Sequence, residues 1–483
     1  MKISKQLISN INLKIKYGKI PSEINFICFD SRKVTRGDIF VAIDGFKHDG
    51  KQYIETAIAS GAILIVTQEE PQEIRQGICY FIVDDTRKAL AILSAHYYNY
   101  PTKNISLIGV TGTNGKTTIV SLLSQIFDNL NYKTGIISTI CNKIGEKYLP
   151  SSHTTPDILE VNRLLSEMVN QGCKYCFMEV SSHAIHQYRI YGLKFSLGIF
   201  SNITRDHLDY HKTFKEYLEV KKSFFDLLPK ESFLLTNSDD QHGSYITSDS
   251  CANKFSYSIK SLSDFRCNIL EKRFDGMLLK IKKIDVWVPL IGQFNAYNIL
   301  AAYSASILLG VDEEDVLKEI STLTPPNGRF EQIISDSGSI GIIDYAHTDD
   351  ALKNVLETIN SIKSKDQDVI TVIGCGGDRD KSKRSKMGSV AYHLSSQVIF
   401  TSDNPRCESP DIIIRDMLFD LNQIQKQEVL KIIDRKEAIK TACKIINPGD
   451  IILVAGKGHE QYQEINGNKV LFNDRKELLE SLT

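Results

Sequence analysis

Short apolar runs alternate along most of the chain with segments in which apolar residues return every three or four positions. In the first hundred residues, 38–43 and 62–66 predict strands, and 53–59 and 87–97 predict helices. Tyr100-Pro101-Thr102 predicts a boundary, because proline lacks a donor and disfavours helix before it. A strand over 105–110 opens a second segment. Beyond a glycine-containing loop, Ile119, Leu122, Leu123, Ile126, Phe127 and Leu130 repeat at helical spacing. Strand-like runs follow at 135–138, 176–180, 197–200 and 233–236, with helical patterns between them. A third segment, from near Phe330, carries strands at 339–344, 369–374, 397–401 and 451–455. Strands alternating with helices predict an α/β chain built on parallel sheets. The expected division is a small α/β domain over 1–100, a central parallel-sheet domain over 101–330 and a Rossmann-like α/β domain over 331–483. Each of the last strands runs into Asp, Gly or Ser, at the edge where open α/β sheets bind ligands.

Composition narrows the class. The 483 residues are 42% hydrophobic, 24% charged and 9% aromatic, which excludes disordered, fibrous and disulfide-framed chains. Lys plus Arg (58) nearly equals Asp plus Glu (59), which argues against nucleic-acid partners and a polybasic membrane face. The longest apolar stretch, around 299–311, is short and contains Ser304 and Ser306, so no membrane insertion is expected. The start leads into no apolar core or cleavage site, so the expectation is a cytoplasmic protein. Among ten scattered cysteines only Cys173 and Cys176 form a CxxC, lying in or beside an apolar strand-like run. Buried free thiols are the favoured reading, with a redox or metal role as the alternative.

Candidate chemistry starts at Thr111-Gly112-Thr113-Asn114-Gly115-Lys116-Thr117-Thr118, between a predicted strand and a predicted helix. In that setting glycines let backbone N–H groups approach phosphate and the helix N-terminus adds its positive end. Lys116 would reach the β/γ-phosphates and the Thr117 hydroxyl would ligate Mg²⁺. Val110 stands where the strict pattern has glycine, so this is a variant loop. An NTP site is the minimum reading. Glu179, ending an apolar strand, suits a Mg²⁺ contact or, alternatively, a capping or ion-paired carboxylate. His207, in Arg205-Asp206-His207-Leu208-Asp209-Tyr210-His211, is either a metal ligand or a structural residue.

This loop, with Glu179-Val180-Ser181-Ser182-His183 and Asp206-His207-Leu208-Asp209-Tyr210-His211, resembles the Mur ligase family, ATP-dependent amide-forming enzymes of peptidoglycan precursor synthesis. Further collinear matches are His153-Thr154-Thr155-Pro156-Asp157, Gly292-Gln293-Phe294-Asn295 with Asn298, Asn327-Gly328-Arg329-Phe330-Glu331, Asp344-Tyr345-Ala346-His347, Gly376-Gly377-Asp378-Arg379-Asp380, Asp403-Asn404-Pro405-Arg406 and Gly456-Lys457-Gly458-His459-Glu460. They cover nearly the whole chain. Within the family, Asp403-Asn404-Pro405-Arg406 resembles the motif of members that add meso-diaminopimelate to UDP-N-acetylmuramoyl-L-alanyl-D-glutamate. Diaminopimelate differs from L-lysine by a distal carboxylate, which Arg406, with Arg379, can grip through a planar guanidinium. Glu460 and the Gly456 carbonyl suit the distal ammonium.

The resemblance implies further roles. Ser31 and Phe46-Lys47-His48 would face the UDP end; Thr154, Thr155, Ser181, Gln187 and Arg189 would hold the muramoyl-dipeptide. Lys221 matches the family lysine that is carbamylated to become a Mg²⁺ ligand alongside Thr117, Glu179 and His207. Asn298 and Asp344 would contact adenine and ribose, and Arg329 the phosphates. The implied reaction passes through an acyl phosphate, with Lys116 and Mg²⁺ neutralising the transferring phosphoryl group. Because its three substrates would sit on different domains, closure on binding is expected, in a monomer. One departure is Asp349 after Thr348, where the family has proline; loss of that turn former is expected to loosen the loop. Competing readings are a lysine-adding sibling, a folylpolyglutamate synthetase and a nucleotide-binding regulator without catalysis.

Overall fold

The computed structural model describes residues 2–3, 8, 11–45, 49–151 and 153–482. Phe46-Lys47-His48 lie outside the described residues. Three main sheets follow one another along the chain. The first has five strands in the order Leu13–Tyr17, Cys79–Val83, Leu64–Thr67, Ile39–Val41 and Ile27–Cys28. Only its first pair is antiparallel. The helix Thr86–Tyr97 starts where Asp85 accepts from the Arg87 and Lys88 N–H groups, an N-cap satisfying two otherwise unpaired donors.

The central sheet has eleven strands. Its parallel part runs from Thr134–Ile137 through Tyr175–Glu179, Ser106–Thr111, Leu197–Phe200, Phe233–Asn237 and Asn253–Ser258 to Phe265–Arg273. Antiparallel strands extend both edges: Cys141–Ile144 with Lys147–Pro150 at one, and Gly276–Ile281 with Ile284–Val288 at the other. The sequence reading passed over these, although Met277, Leu279 and Ile281 are buried at the two-residue period of a half-covered strand. The apolar stretch near 299–311 falls largely in the helix Gln293–Leu308, with buried residues all round it, as expected for a helix inside a large core. Among the described residues no helix is long and apolar enough to cross a membrane.

The third sheet has six strands: Glu331–Ile334, Ile340–Asp344, Ile451–Ala455, Val369–Ile373, Gln397–Phe400 and Leu430–Lys431. All pairs but the first are parallel. Ile342, Val369 and Leu453 join one apolar cluster, while Ile343, Val372 and Val454 join another on the opposite face. Burial on both faces explains why these strands read as unbroken Val/Ile runs rather than alternating ones. The expected α/β architecture therefore holds in all three parts. Cys173 and Cys176 are buried free thiols, as read.

Candidate active site

The strand Ser106–Thr111 leads into the loop 111–115 and then the helix Lys116–Asn129. Val110 is still inside the sheet, its carbonyl accepting from Val180 N–H at 2.8 Å, so the turn is made later, at Gly112 and Gly115. Gly115 has φ +88, and a Cβ there would sit 2.5 Å from Asn298 Oδ1. A Cβ on Gly112 would meet Ser201 Oγ at 1.9 Å. Both positions need glycine for close approach. No side chain caps the helix, which leaves its first N–H groups and positive dipole end directed into the loop.

Two lysines converge on this loop. Lys116 Nζ donates to the Gly112 and Thr113 carbonyls at 2.9 and 2.8 Å; Lys221 Nζ reaches the same Gly112 carbonyl at 2.8 Å. Desolvation pulls Lys116 below the ordinary lysine range, against the nearby charges of Glu179 and Asp206. Lys221, only 1% exposed, is driven further down by burial and then by Lys116. Across the loop, Arg329 Nη2 donates to Thr117 Oγ1 at 3.3 Å, its guanidinium lies 4.6 Å from the Tyr345 ring centroid, and its buried Nε has no hydrogen-bond partner.

Glu179 ends its strand with both oxygens engaged by Thr139, from N–H at 2.9 Å and from Oγ1 at 3.2 Å. Thr139 Oγ1 also shares a hydrogen bond with Thr154 Oγ1 at 3.0 Å. Thr155 Oγ1 donates to the Glu179 carbonyl at 2.7 Å and accepts from Ser181 N–H at 3.2 Å. Arg189 Nη1 donates to the Thr155 carbonyl at 2.8 Å, and its Nε and Nη2 fork onto Gln187 Oε1 at 3.1 and 2.7 Å. Thr154, Thr155, Ser181, Gln187 and Arg189 thus form one connected network beside Glu179. Ser31, buried at the start of the 3-10 turn Ser31–Lys33 in the first domain, is not joined to it.

His207 sits in left-handed backbone (φ 54), 3.4 Å from Asp206 Oδ2, and desolvation pulls it below the ordinary histidine range against the opposing charge of Asp206. Its burial favours the neutral imidazole, which has a lone pair to offer a metal. Among the described residues no three His, Cys, Asp or Glu side chains gather as a ready-made metal cluster. The donors near the loop are the Thr117 hydroxyl, the Glu179 carboxylate and His207. That sparse, oxygen-bearing set fits Mg²⁺ held by few protein ligands together with substrate phosphates. Lys221 as an amine or ammonium cannot complete it; as a carbamate it could.

The third domain closes the site. Asn114 Nδ2 donates to Asp350 Oδ2 at 3.0 Å. Asp350 lies in the first turn of the helix Asp349–Ile362, which Thr348 caps by accepting from Ala351 N–H at 3.2 Å. The expected loosening after Thr348 is not found: an acid at the first helical position, favoured by the dipole, replaces proline in a capped start. Asp344 is buried, its oxygens accepting from Phe330 N–H and Ala346 N–H at 2.8 and 2.7 Å, and burial pushes its carboxyl up.

Three loops at the carboxyl ends of adjacent strands make the second half of the site. Gly377 N–H donates to the Asn404 carbonyl at 2.9 Å, and a Cβ on Gly377 would lie 1.9 Å from the Pro405 carbonyl oxygen. Gly456 (φ +110) leaves room for Asp403 Oδ2, which its Cβ would approach to 2.7 Å. Arg406, at φ 51, donates from Nε to Glu464 Oε2 at 3.1 Å and from Nη1 to the Gly377 carbonyl at 2.7 Å. Arg379 lies beside it: its Cγ and Arg406 Nη1 are 3.7 and 3.1 Å from where a Gly376 Cβ would stand. Asn404 Nδ2 donates to Glu460 Oε2 at 2.8 Å. Sequence reasoning missed Thr139, Glu464 and Arg435, which act through contacts distant in the chain and belong to no spacing pattern, and gave no role to Lys457 although it stands inside the run Gly456-Lys457-Gly458-His459-Glu460.

A loop of the phosphate-binding kind, tied through Asn114 and Asp350 to the part of the chain that carries the second cluster, is the arrangement of a nucleotide-using enzyme with its site between domains. The chain belongs to the Mur ligase family: profiles for the Mur ligase family catalytic domain, the Mur ligase middle domain and the Mur ligase glutamate ligase domain match residues 23–98, 110–306 and 328–458. It is similar to the UDP-N-acetylmuramoyl-L-alanyl-D-glutamate–2,6-diaminopimelate ligases of Cytophaga hutchinsonii (49% identical over 482 residues, 99% of each chain) and Phocaeicola vulgatus (50% over 478 residues, 99% of each). A solved structure bearing the same enzyme title superposes with a TM-score of 0.70 at 31% identity, covering 100% of this chain and 99% of the other.

Proposed function

We propose that this protein uses ATP to join the amino group of meso-diaminopimelate to the D-glutamate γ-carboxylate of UDP-N-acetylmuramoyl-L-alanyl-D-glutamate, in the cytoplasm and as a monomer. The observation that supports this reading is that Arg406 and Glu460 flank one loop, Glu460 accepting from Asn404 and Arg406 donating to the Gly377 carbonyl, a cation and an anion suited to an amino acid whose far end bears both charges. Residues 1–100 would hold the UDP-sugar, 101–330 the ATP and 331–483 the incoming amino acid.

The γ-carboxylate attacks the ATP γ-phosphorus and ADP departs, leaving an acyl phosphate. The free amine then attacks the acyl carbon and phosphate leaves, forming the amide. Lys116, Arg329 and the uncapped helix start face the phosphates, where positive charge already stripped of water stabilises charge spread over the transferring group. Asn298 and Asp344 are assigned to adenine and ribose. Thr117, Glu179, His207 and carbamylated Lys221 would hold Mg²⁺, which supplies Lewis-acid neutralisation of phosphoryl oxygens. A neutral Lys221 amine, which its burial favours, is the form that takes up CO₂. Thr154, Thr155, Ser181, Gln187 and Arg189 orient the dipeptide, Ser31 the uridine end, and Arg379, Asp403, Asn404, Pro405, Arg406, Gly456 and Glu460 the diaminopimelate.

The test is incubation of the purified protein with ATP, Mg²⁺ and the UDP-muramoyl-dipeptide, with either meso-diaminopimelate or L-lysine, followed by phosphate release and product mass. Product with diaminopimelate alone is expected. Product with lysine alone overturns the substrate assignment, and no product with either amine from folded, ATP-binding protein overturns the ligase reading. Size-exclusion light scattering checks the monomer.

A further inference from the structure

Beneath the amino-acid cleft lies a lysine that the proposed chemistry leaves without a role. The Lys457 side chain is 0% exposed, and its Nζ donates to Glu460 Oε2 at 2.7 Å and Asn404 Oδ1 at 3.0 Å, with Asp403 Oδ1 at 3.9 Å. Asn404 Oδ1 accepts a second bond, from Glu464 N–H at 2.9 Å, so two donors fix which end of the amide faces them. That leaves Asn404 Nδ2 to donate to Glu460 Oε2. Both of these protein donors therefore converge on one oxygen of Glu460, and Oε1 stays open to a further donor.

The charges around this point are paired with one another. Arg406 pairs with Glu464, Lys457 with Glu460, and the buried Arg435 with Asp474 while also facing Asp403 and Glu460. Arg379 lies beside Arg406, and a further ion pair, Arg384 with Glu408, sits against the Gly376 carbonyl. A cleft whose cations and carboxylates are already paired with one another suits a side-chain end that carries an ammonium and a carboxylate together. An ammonium alone enters it with no compensating anion of its own and brings nothing to meet the Arg406 guanidinium beyond Glu464.

We propose that Lys457 is a specificity-determining residue: by neutralising Glu460 from below, it makes the cleft refuse an amine end that lacks a carboxylate. The proposal rests on the diaminopimelate reading above. Without the Lys457 charge Glu460 loses the cation paired with it, and the lone cation of L-lysine would satisfy it.

The experiment measures kcat/KM for meso-diaminopimelate and for L-lysine with the full-length wild type, Lys457→Met and Glu460→Gln. Methionine keeps an unbranched apolar stem and removes the charge. The ratio favouring diaminopimelate should narrow by about tenfold or more in Lys457→Met, the scale of one charged hydrogen bond, with the KM for ATP unchanged. A merely structural role would lower both amines alike, so an unchanged ratio overturns the proposal and leaves the ligase reading standing. Glu460→Gln leaves the Lys457 charge unmatched, so its ratio should widen; this carries the test if Lys457→Met does not fold, and an unchanged or narrowed ratio there overturns it. A wild type that takes neither amine, or prefers lysine, overturns the reading beneath the proposal and the proposal with it.

Discussion

The two halves of the active site treat buried positive charge in opposite ways. At the phosphate loop, Lys116 and Lys221 donate to backbone carbonyls, and desolvation drives both below their ordinary range. Beneath the amino-acid cleft, Arg435 is clamped at both ends by Asp474, at 2.7 and 2.8 Å, and its Nη2 also donates to the Ala455 carbonyl at 2.9 Å. Lys457 and Arg384 are likewise met by carboxylates. A cation without an anion partner is costly to bury, so the loop is built for a charge that arrives with a ligand. The cleft has settled its charges internally and is built for shape and dipole. On the proposed function, one region is preorganised for phosphate and the other for a zwitterion.

The contrast breaks most visibly at Lys116. Lys116→Met should lower ligase activity about 10³-fold or more, because positioned charge supplies most of phosphoryl-transfer catalysis. Its melting temperature in the absence of nucleotide should stay level or rise, since no ion pair is lost. In the other region the signs reverse. Asp474→Asn strands Arg435, 0% exposed, and should cost about 3–5 kcal/mol in denaturant unfolding. Replacing both partners together, as Arg435→Met with Asp474→Leu, should cost clearly less.

A pH series sharpens the same point. Arg384 donates to Glu408 and holds its carboxyl at about 2, below the ordinary 4.5. Glu408 thus contributes stability that is complete above about 4.5 and fades as pH falls toward about 2. Glu408→Gln should destabilise by about 1 kcal/mol at neutral pH, allowing for screening at this rim, and the deficit should vanish in acid. The smallest effect is expected at Asp350, which accepts from Asn114 across the domain junction at 3.0 Å. Asp350→Ala should raise the KM for ATP about threefold, the worth of one hydrogen bond, with unfolding unchanged.

The sequence carried the loop side of this contrast further than the cleft side. Gly112, Gly115, Lys116 and Thr117 are neighbours in the chain, so a strand, a turn and a helix start state their chemistry locally. The cleft depends on contacts between positions far apart, such as Arg435 with Asp474 and Lys457 with Asn404, 39 and 53 residues away. No periodicity announces those pairs. The edge strands Gly276–Ile281 and Ile284–Val288 show another loss: the alternation was present but short and broken by charged residues. The proline missing after Thr348 misled in the opposite direction, because a capping threonine and an N-terminal acid do the same local work.

Paired measurement of nucleotide affinity and ligand-free stability on Lys116→Met and Arg435→Met tests the central contrast most directly. Calorimetric titration with ADP and Mg²⁺, beside denaturant unfolding without ligand, should show Lys116→Met losing affinity while keeping its stability, and Arg435→Met keeping affinity while losing stability. Equal losses of stability in the two variants, with ADP affinity untouched in Lys116→Met, would contradict it.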